Sequence, residues 1–229
     1  MPLYPVNLNI TDRLCLVIGG GTVALRKIES LLFCGARVRV VSPEAVAEIR
    51  NLAEAGRIEW WRRGYAPGDL QGIFLAIAAT DNPSVQNQIA EEAVDLPVLL
   101  NSADNPEACD FHVPSTVRRG ELLITVSTGG ASPALARQIR KKLEEEFGWE
   151  YSAVITLLAR LREIVVRDGK DTEINTRIFY DVLGLDIVNS VRKAEWDNLQ
   201  RALQEILPAG MDIGAIIREC ATIAEPGDV

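Results

Sequence analysis

Leu14-Cys15-Leu16-Val17-Ile18-Gly19-Gly20-Gly21-Thr22-Val23-Ala24, running on through Phe33 and Gly35 to Val38-Arg39-Val40-Val41, decides how this chain folds. Leu14 to Ile18 is an unbroken apolar run, the pattern of a strand buried on both faces. Apolar residues then recur at Ala24, Ile28, Leu31 and Leu32, which is helical spacing. Gly35 suits the left-handed position that follows a helix end, and Val38 to Val41 is a second apolar run. Strand, glycine turn, helix and strand make a βαβ unit with Gly-x-Gly-x-x-Ala in its turn. Gly19 then permits the tight turn, Gly21 lets a pyrophosphate approach the backbone, and Ala24 lets the helix pack closely on the strand. The N–H groups of the helix start face the phosphates. The stretch reads as a dinucleotide site.

One part of the pattern is missing. An Asp or Glu usually closes the second strand and binds the adenosine ribose. Ser42 stands there, followed by Pro43 and Glu44. A serine hydroxyl can bond a 2′-hydroxyl and does not repel a 2′-phosphate. No Arg follows it directly, so the stretch leans to NAD without excluding NADP.

Downstream, segments that read as strands alternate with helices. Pro5 to Ile10 alternates like a short edge strand. Pro43 to Ala55 reads as a helix with Ser42 as its N-cap, and Ile58 to Trp61 as a short strand. Ile73 to Ala79 is a buried strand. Thr80-Asp81-Asn82-Pro83 opens a helix that runs to about Val94, with Asp81 as a capping candidate. Val98 to Leu100 is the next strand and ends at Asn101. This rhythm predicts a Rossmann-like, doubly wound parallel sheet of the α/β class. Ligands bind such sheets beyond the carboxyl ends of the strands. Gly19 to Val23, Ser42-Pro43, Thr80-Asp81 and Asn101 to Asp104 should therefore converge on one edge.

Phe111 to Val113 and Leu122 to Val126 read as two further strands, with Arg118-Arg119-Gly120 as a turn between them. Ser127-Thr128-Gly129-Gly130-Ala131-Ser132 precedes Pro133, and Leu135, Ile139, Leu143 and Phe147 form one stripe of an amphipathic helix. The remainder is helical by pattern, at about 151–167, 172–183, 188–206 and 212–224. The expected organisation is a nucleotide-binding domain over 1–113, a small α+β segment over 114–150 and an all-helical domain over 151–229.

With 48% hydrophobic and 24% charged residues, the composition is that of an ordinary globular chain. A net charge of −8 argues against general nucleic-acid or membrane affinity. There is no secretory pattern at the start and no apolar run of membrane-spanning length. Cys15, Cys34, Cys109 and Cys220 are scattered and read as reduced thiols, so a cytoplasmic location is expected. His112 is the single histidine, and Cys109 with His112 is too sparse a pair for a metal site, so no metal ligand is expected. Neither a Gly-x-Ser-x-Gly elbow nor a Gly-x-x-x-x-Gly-Lys-Ser/Thr loop occurs.

The residues left to carry chemistry are few. Asp104 follows a buried strand and is a candidate acid or base, although Asp before Asn-Pro also forms ordinary turns. Ser127, Thr128 and Gly129 can present backbone N–H groups at a helix start, a concavity suited to anions. Arg118, Arg119, Arg137 and Arg140 flank it. They form either a solvated face balanced by Glu144 to Glu146 or the rim of a pocket for a polycarboxylate.

Five blocks occur in order: Gly19-Gly-Gly-Thr-Val-Ala-Leu-Arg-Lys27, Ala76-Ile-Ala-Ala-Thr-Asp81, Asn101-x-x-Asp104, Phe111-x-x-Pro114-Ser115 and Ser127-Thr-Gly-Gly-Ala-Ser-Pro-Ala-Leu-Ala-Arg137. Together they resemble the precorrin-2 dehydrogenases, including the dehydrogenase/chelatase module of siroheme synthase. The resemblance is close over about residues 3–150 and looser in the helical tail. It implies NAD-dependent oxidation of precorrin-2 to sirohydrochlorin on the route to sirohaem, with Asp104 as the catalytic acid–base residue. It also implies NAD contacts at Thr22, Val23, Pro43 and Glu44, a homodimer built with roughly residues 114–150, and a tetrapyrrole partner whose carboxylates give the arginines a purpose. Methylation of the precursor is expected on a separate chain. Two other readings stay open: a bifunctional dehydrogenase and sirohydrochlorin ferrochelatase, and an NAD-responsive regulatory module.

Overall fold

A computed structural model describes residues 3–102, 109–167, 172–208 and 210–224. Two compact units divide the chain, Met1–Val113 and Pro114–Val229. The first is built on a five-stranded parallel sheet in the order β3-β2-β1-β4-β5. Its strands are β1 (Leu14–Ile18), β2 (Arg37–Val41), β3 (Glu59–Trp61), β4 (Leu75–Ala78) and β5 (Leu99–Ser102). The register sets Ile18 beside both Val41 and Ala78, Val41 beside Trp61, and Ala78 beside Ser102. All five carboxyl ends therefore finish level along one edge. Helices α1 (Thr22–Phe33), α2 (Ala47–Glu54) and α3 (Pro83–Ala93) supply the cover.

The unbroken apolar run of β1 follows from its central place. Cys15 and Val17 pack in a core with Ile28 and Leu31 of α1 and Ile49 of α2. Leu16 and Ile18 point into a second core with Ile89 of α3 and Leu100 of β5. Alternate residues of one strand thus serve two faces, so no position in it can be polar. This is the doubly wound α/β class expected from the sequence.

Local details depart from the sequence reading. Residues 3–10 form no strand, although Ile10 is buried against the α1 side of the sheet. The helix expected from Pro43 begins only at Ala47, with Val46 in the cap position. Ser42 does not cap it, because its hydroxyl is turned to the Glu44 carbonyl. At α3 the cap is Asn82, not Asp81: the Asn82 side chain accepts from the N–H groups of Ser84 and Val85. Phe111 to Val113 forms no strand among the described residues.

The second unit opens with an antiparallel hairpin, β6 (Ser115–Arg119) and β7 (Leu122–Val126), with α4 (Pro133–Glu146) packed on both strands. Arg118 and Arg119 are strand residues, and the turn falls on Gly120, whose φ of +55° is left-handed. Ser132 caps α4 by accepting from the Leu135 N–H, with Pro133 in the first turn, as the sequence indicated. Among the described residues five helices follow: α5 (Glu150–Arg167), α6 (Thr172–Leu183), α7 (Ile187–Arg192), α8 (Trp196–Ile206) and α9 (Ile213–Ala224). The helix expected over 188–206 is two helices, broken where Ala194 takes a φ of +54°. Leu157, Leu161, Val191, Leu199, Leu203 and Ile216 meet in one core, which accounts for the apolar spacing of the tail.

Between β3 and β4 the chain crosses from one face of the sheet to the other. Asp69 fastens this crossing. Its carboxylate takes two bonds from Arg63, at 2.7 and 2.6 Å, and one from the Ala66 N–H at 2.9 Å. Burial works to raise the Asp69 carboxyl, but the Arg63 and Ala66 bonds outweigh it and hold it below the usual carboxylate range. A depressed folded-state value adds stability that is complete above the ordinary range and is lost as pH falls through the depressed one. We expect Asp69→Asn to cost about 1–3 kcal/mol near neutral pH. The difference from wild type should shrink as acid protonates Asp69, measured by urea unfolding across the acid range.

Candidate functional site

Along the carboxyl edge of the parallel sheet, the glycine turn is shaped by what surrounds it. Gly19 has a φ of +129°, and a Cβ there would lie 2.2 Å from the Ala79 carbonyl oxygen just past β4. A Cβ on Gly20 would lie 2.0 Å from the Glu44 carbonyl oxygen and 2.7 Å from Ser42 Oγ, just past β2. Two hydrogen bonds join the same pieces, Gly19 N–H to Val41 O at 3.0 Å and Val46 N–H to Gly20 O at 2.9 Å. Gly21 differs from both, since a Cβ built there meets nothing within 4 Å. It is the N-cap of α1, no side chain caps the helix, and no acidic residue lies in its first turn. Thr22 and Val23 are exposed beside it. The result is an open, uncapped helix start over the strand-order reversal between β1 and β4, a cradle that fits a pyrophosphate.

Ser42 is only 7% exposed and already engaged. Its hydroxyl donates to Glu44 O at 2.5 Å, its N–H to Trp61 O, and its carbonyl accepts from Trp60 Nε1 at 3.0 Å. Pro43 and Glu44 are exposed at the same strand end. Past β4, Thr80 is half-buried, with its carbonyl accepting from Gln86 Nε2 at 2.6 Å and its hydroxyl from the Asn82 N–H. Asp81 is exposed.

At β5 a hydrogen-bond zipper that the sequence reading missed ties Leu100–Ser102 to Cys109–Phe111. Asn101 Nδ2 donates to Phe111 O at 2.9 Å. Asp110 takes the Leu100 N–H on its carboxylate at 2.8 Å and returns its own N–H to Leu100 O at 2.9 Å. Cys109 Sγ accepts from the Ser102 N–H and donates to Ser102 O. Asp104 belongs to residues 103–108, outside the described residues, whose two flanks this zipper holds together. Cys109, weighed in the sequence with His112 as a sparse metal-ligand pair, and its neighbour Asp110 are thus a fastening. The one sequence cue was their adjacency between a strand and an aromatic residue, which is too common to interpret. Among the described residues no group of three or more His, Cys, Asp or Glu is placed to hold a metal ion.

The remaining candidates lie in the second unit. Arg119 donates to Arg118 O at 2.9 Å and to Glu144 O at 3.1 Å, and Arg140 pairs with the Glu144 carboxylate. Arg137 is exposed on the same helix. The turn before α4 uses several of its own donors: Gly129 N–H bonds Ser127 Oγ, Ser132 N–H bonds Thr128 Oγ1, and Ala131 N–H bonds Thr128 O. The anion-binding concavity expected there is therefore partly filled by its own hydroxyls.

The family described as NAD(P)-binding matches residues 6–115, and the sirohaem biosynthesis protein central family matches 119–146. A siroheme synthase of Ectopseudomonas mendocina is 39% identical over the whole chain, which covers 49% of that protein. A siroheme synthase of Thioalkalivibrio sulfidiphilus is 34% identical over the whole chain, which covers 47% of it. The chain spans about half the length of these curated relatives. The solved structure of the precorrin-2 dehydrogenase SirC superposes with a TM-score of 0.76 at 27% identity, over 89% of this chain and 98% of that one. No helix among the described residues is long and apolar enough to cross a membrane.

Gly20 and Gly21 should separate in their effects. Gly21→Ala should leave thermal stability unchanged while weakening NAD⁺ binding roughly tenfold, because its methyl enters open space that a pyrophosphate at this helix start would need. Gly20→Ala should cost about 1–3 kcal/mol, because its methyl meets backbone that cannot step aside. Thermal melts with calorimetric NAD⁺ titration of both variants would check this.

Proposed function

Because the chain belongs to the precorrin-2 dehydrogenase family, which includes the dehydrogenase module of siroheme synthases, we propose that it oxidises precorrin-2 to sirohydrochlorin with NAD⁺. The observation that carries this reading is the open Gly21 cradle at the switch point of a β3-β2-β1-β4-β5 sheet. Bound NAD⁺ supplies the hydride acceptor. The uncapped N–H groups of the first turn of α1 bind the pyrophosphate, with Thr22 and Val23 beside it. Pro43 and Glu44, exposed at the end of β2, border the adenosine ribose, where the Glu44 carboxylate disfavours a 2′-phosphate. Ser42 contributes by holding this loop in place more than by its hydroxyl, which is already spent on Glu44 O. Thr80, Asp81 and Asn101 line the same edge from β4 and β5.

Oxidation removes two hydrogens from the substrate, one as hydride and one as a proton. Asp104 is assigned the proton. What supports this is that its two described flanks, Leu100–Ser102 and Cys109–Phe111, are bonded to one another at the carboxyl end of β5. A tetrapyrrole bearing many carboxylates would meet Ser127, Thr128, Gly129, Arg118, Arg119, Arg137 and Arg140 as its polar and cationic recognition set. Segment 114–150 serves dimerisation in this reading. Leu135 and Ile139 support it, since both lie exposed on α4 while Ala136 alone of that helix is buried. Residues 151–229 complete the second unit, and methylation of the precursor is assigned elsewhere than to these residues.

Asp104→Asn keeps shape and hydrogen bonding but loses basicity. We expect precorrin-2 oxidation to slow by about 10²–10⁴-fold with NAD⁺ affinity unchanged, and kcat/KM of the wild type to favour NAD⁺ over NADP⁺. Single-turnover absorbance with both cofactors reads these together, and a wild-type rate for Asp104→Asn sinks the assignment. Light scattering at micromolar concentration should give twice the chain mass. Leu135→Glu combined with Ile139→Glu should shift it to the monomer.

A further inference from the structure

Ser102 ends β5 at the same level as Ala78 of β4. By the alternation of the strand it shares a face with Leu100, the face covered by α3. It keeps only 8% of its surface exposed, and its hydroxyl has no hydrogen-bond partner among the described residues. Its main-chain groups are satisfied, because the Cys109 thiol takes the N–H at 3.1 Å and gives to the carbonyl at 3.3 Å. Only the side chain is left over. Burying a hydroxyl without a partner costs stability, and an alanine there would not carry that cost. Structural packing alone gives no reason for serine at this position.

Its place on the sheet supplies one. The pyrophosphate cradle stands over the end of β1, and the adenosine half of a dinucleotide runs toward β2, where Pro43 and Glu44 lie exposed. The other half must run the opposite way, over β4 and β5, since the strand order reverses between β1 and β4. Neighbouring strands are about 4.8 Å apart, so β5 ends roughly 10 Å from β1, within the span of a nicotinamide riboside. A carboxamide offers one donor group and one acceptor, and a serine hydroxyl can satisfy either. We propose that the Ser102 hydroxyl binds the carboxamide of the nicotinamide ring and so orients the face of the ring that takes the hydride. The inference rests on the NAD reading above and extends it to the reactive end of the cofactor.

The test compares NAD⁺ with ADP-ribose, which has the same adenosine and pyrophosphate but no nicotinamide. In the full chain, Ser102→Ala should leave the ligand-free melting temperature equal to or above wild type. NAD⁺ affinity should fall about tenfold by calorimetry, with ADP-ribose affinity unchanged, and Ser102→Thr should restore NAD⁺ binding. Equal NAD⁺ affinity in wild type and Ser102→Ala overturns the proposal while leaving the dinucleotide site intact. A parallel loss of both ligands, or a lower ligand-free melting temperature, also overturns it by showing a structural role. If the wild type binds neither ligand, the dinucleotide reading itself fails and this inference with it.

Discussion

Close backbone approach at Gly19 and Gly20 is the constraint on which the ligand edge depends. The β1–α1 turn, the end of β4 and the loop after β2 meet there at distances that leave no room for a Cβ. Backbone atoms cannot rotate away as side chains can, so the contact fixes the three pieces against one another. The two hydrogen bonds of Gly19 and Gly20 to Val41 and Val46 work in the same direction. Gly21 then stands clear of all three, and the free N–H groups at the start of α1 face outward. A phosphate site made of backbone needs this rigidity, because its donors are oriented before the ligand arrives.

The same economy is visible at β5. The bonds of Asn101, Cys109 and Asp110 tie Cys109–Phe111 back to Leu100–Ser102 at the end of β5. Ordinary groups do this: one amide, one thiol and one carboxylate, each bonding main chain.

In the second unit, charge is arranged more sparingly than the sequence implies. Arg119 and Arg140 both lean on Glu144, through its carbonyl and its carboxylate respectively. Pairing of this kind holds a guanidinium in place without neutralising its outward N–H groups, since each has five. The turn before α4 likewise spends its hydroxyls on its own backbone, which shapes the loop at the expense of free donors. Glu150, nearly fully buried, is matched by Arg192 of α7 and ties the start of α5 to the helices that follow.

What the sequence determined by itself was whatever local periodicity and stereochemistry dictate. The βαβ unit, the parallel sheet, the left-handed Gly35, the Ser132-Pro133 helix start and the helical tail all follow from spacing, capping and the absence of a Cβ. Its errors fall where two signals compete within a few residues. Ser42 reads as a cap but is drawn to the Glu44 carbonyl, and Asn82 outcompetes Asp81 because it lies one residue nearer the first free N–H groups. Ala194 breaks a helix in the middle of a pattern that shows no glycine or proline. Only the tertiary structure decided which polar groups are spent and which remain. Ser42, Asn101, Cys109 and Asp110 are all committed to backbone, while the Ser102 hydroxyl is not. Hydrogen-bond partners come from distant parts of the chain, so their supply is a property of the fold and leaves no mark on the neighbouring sequence.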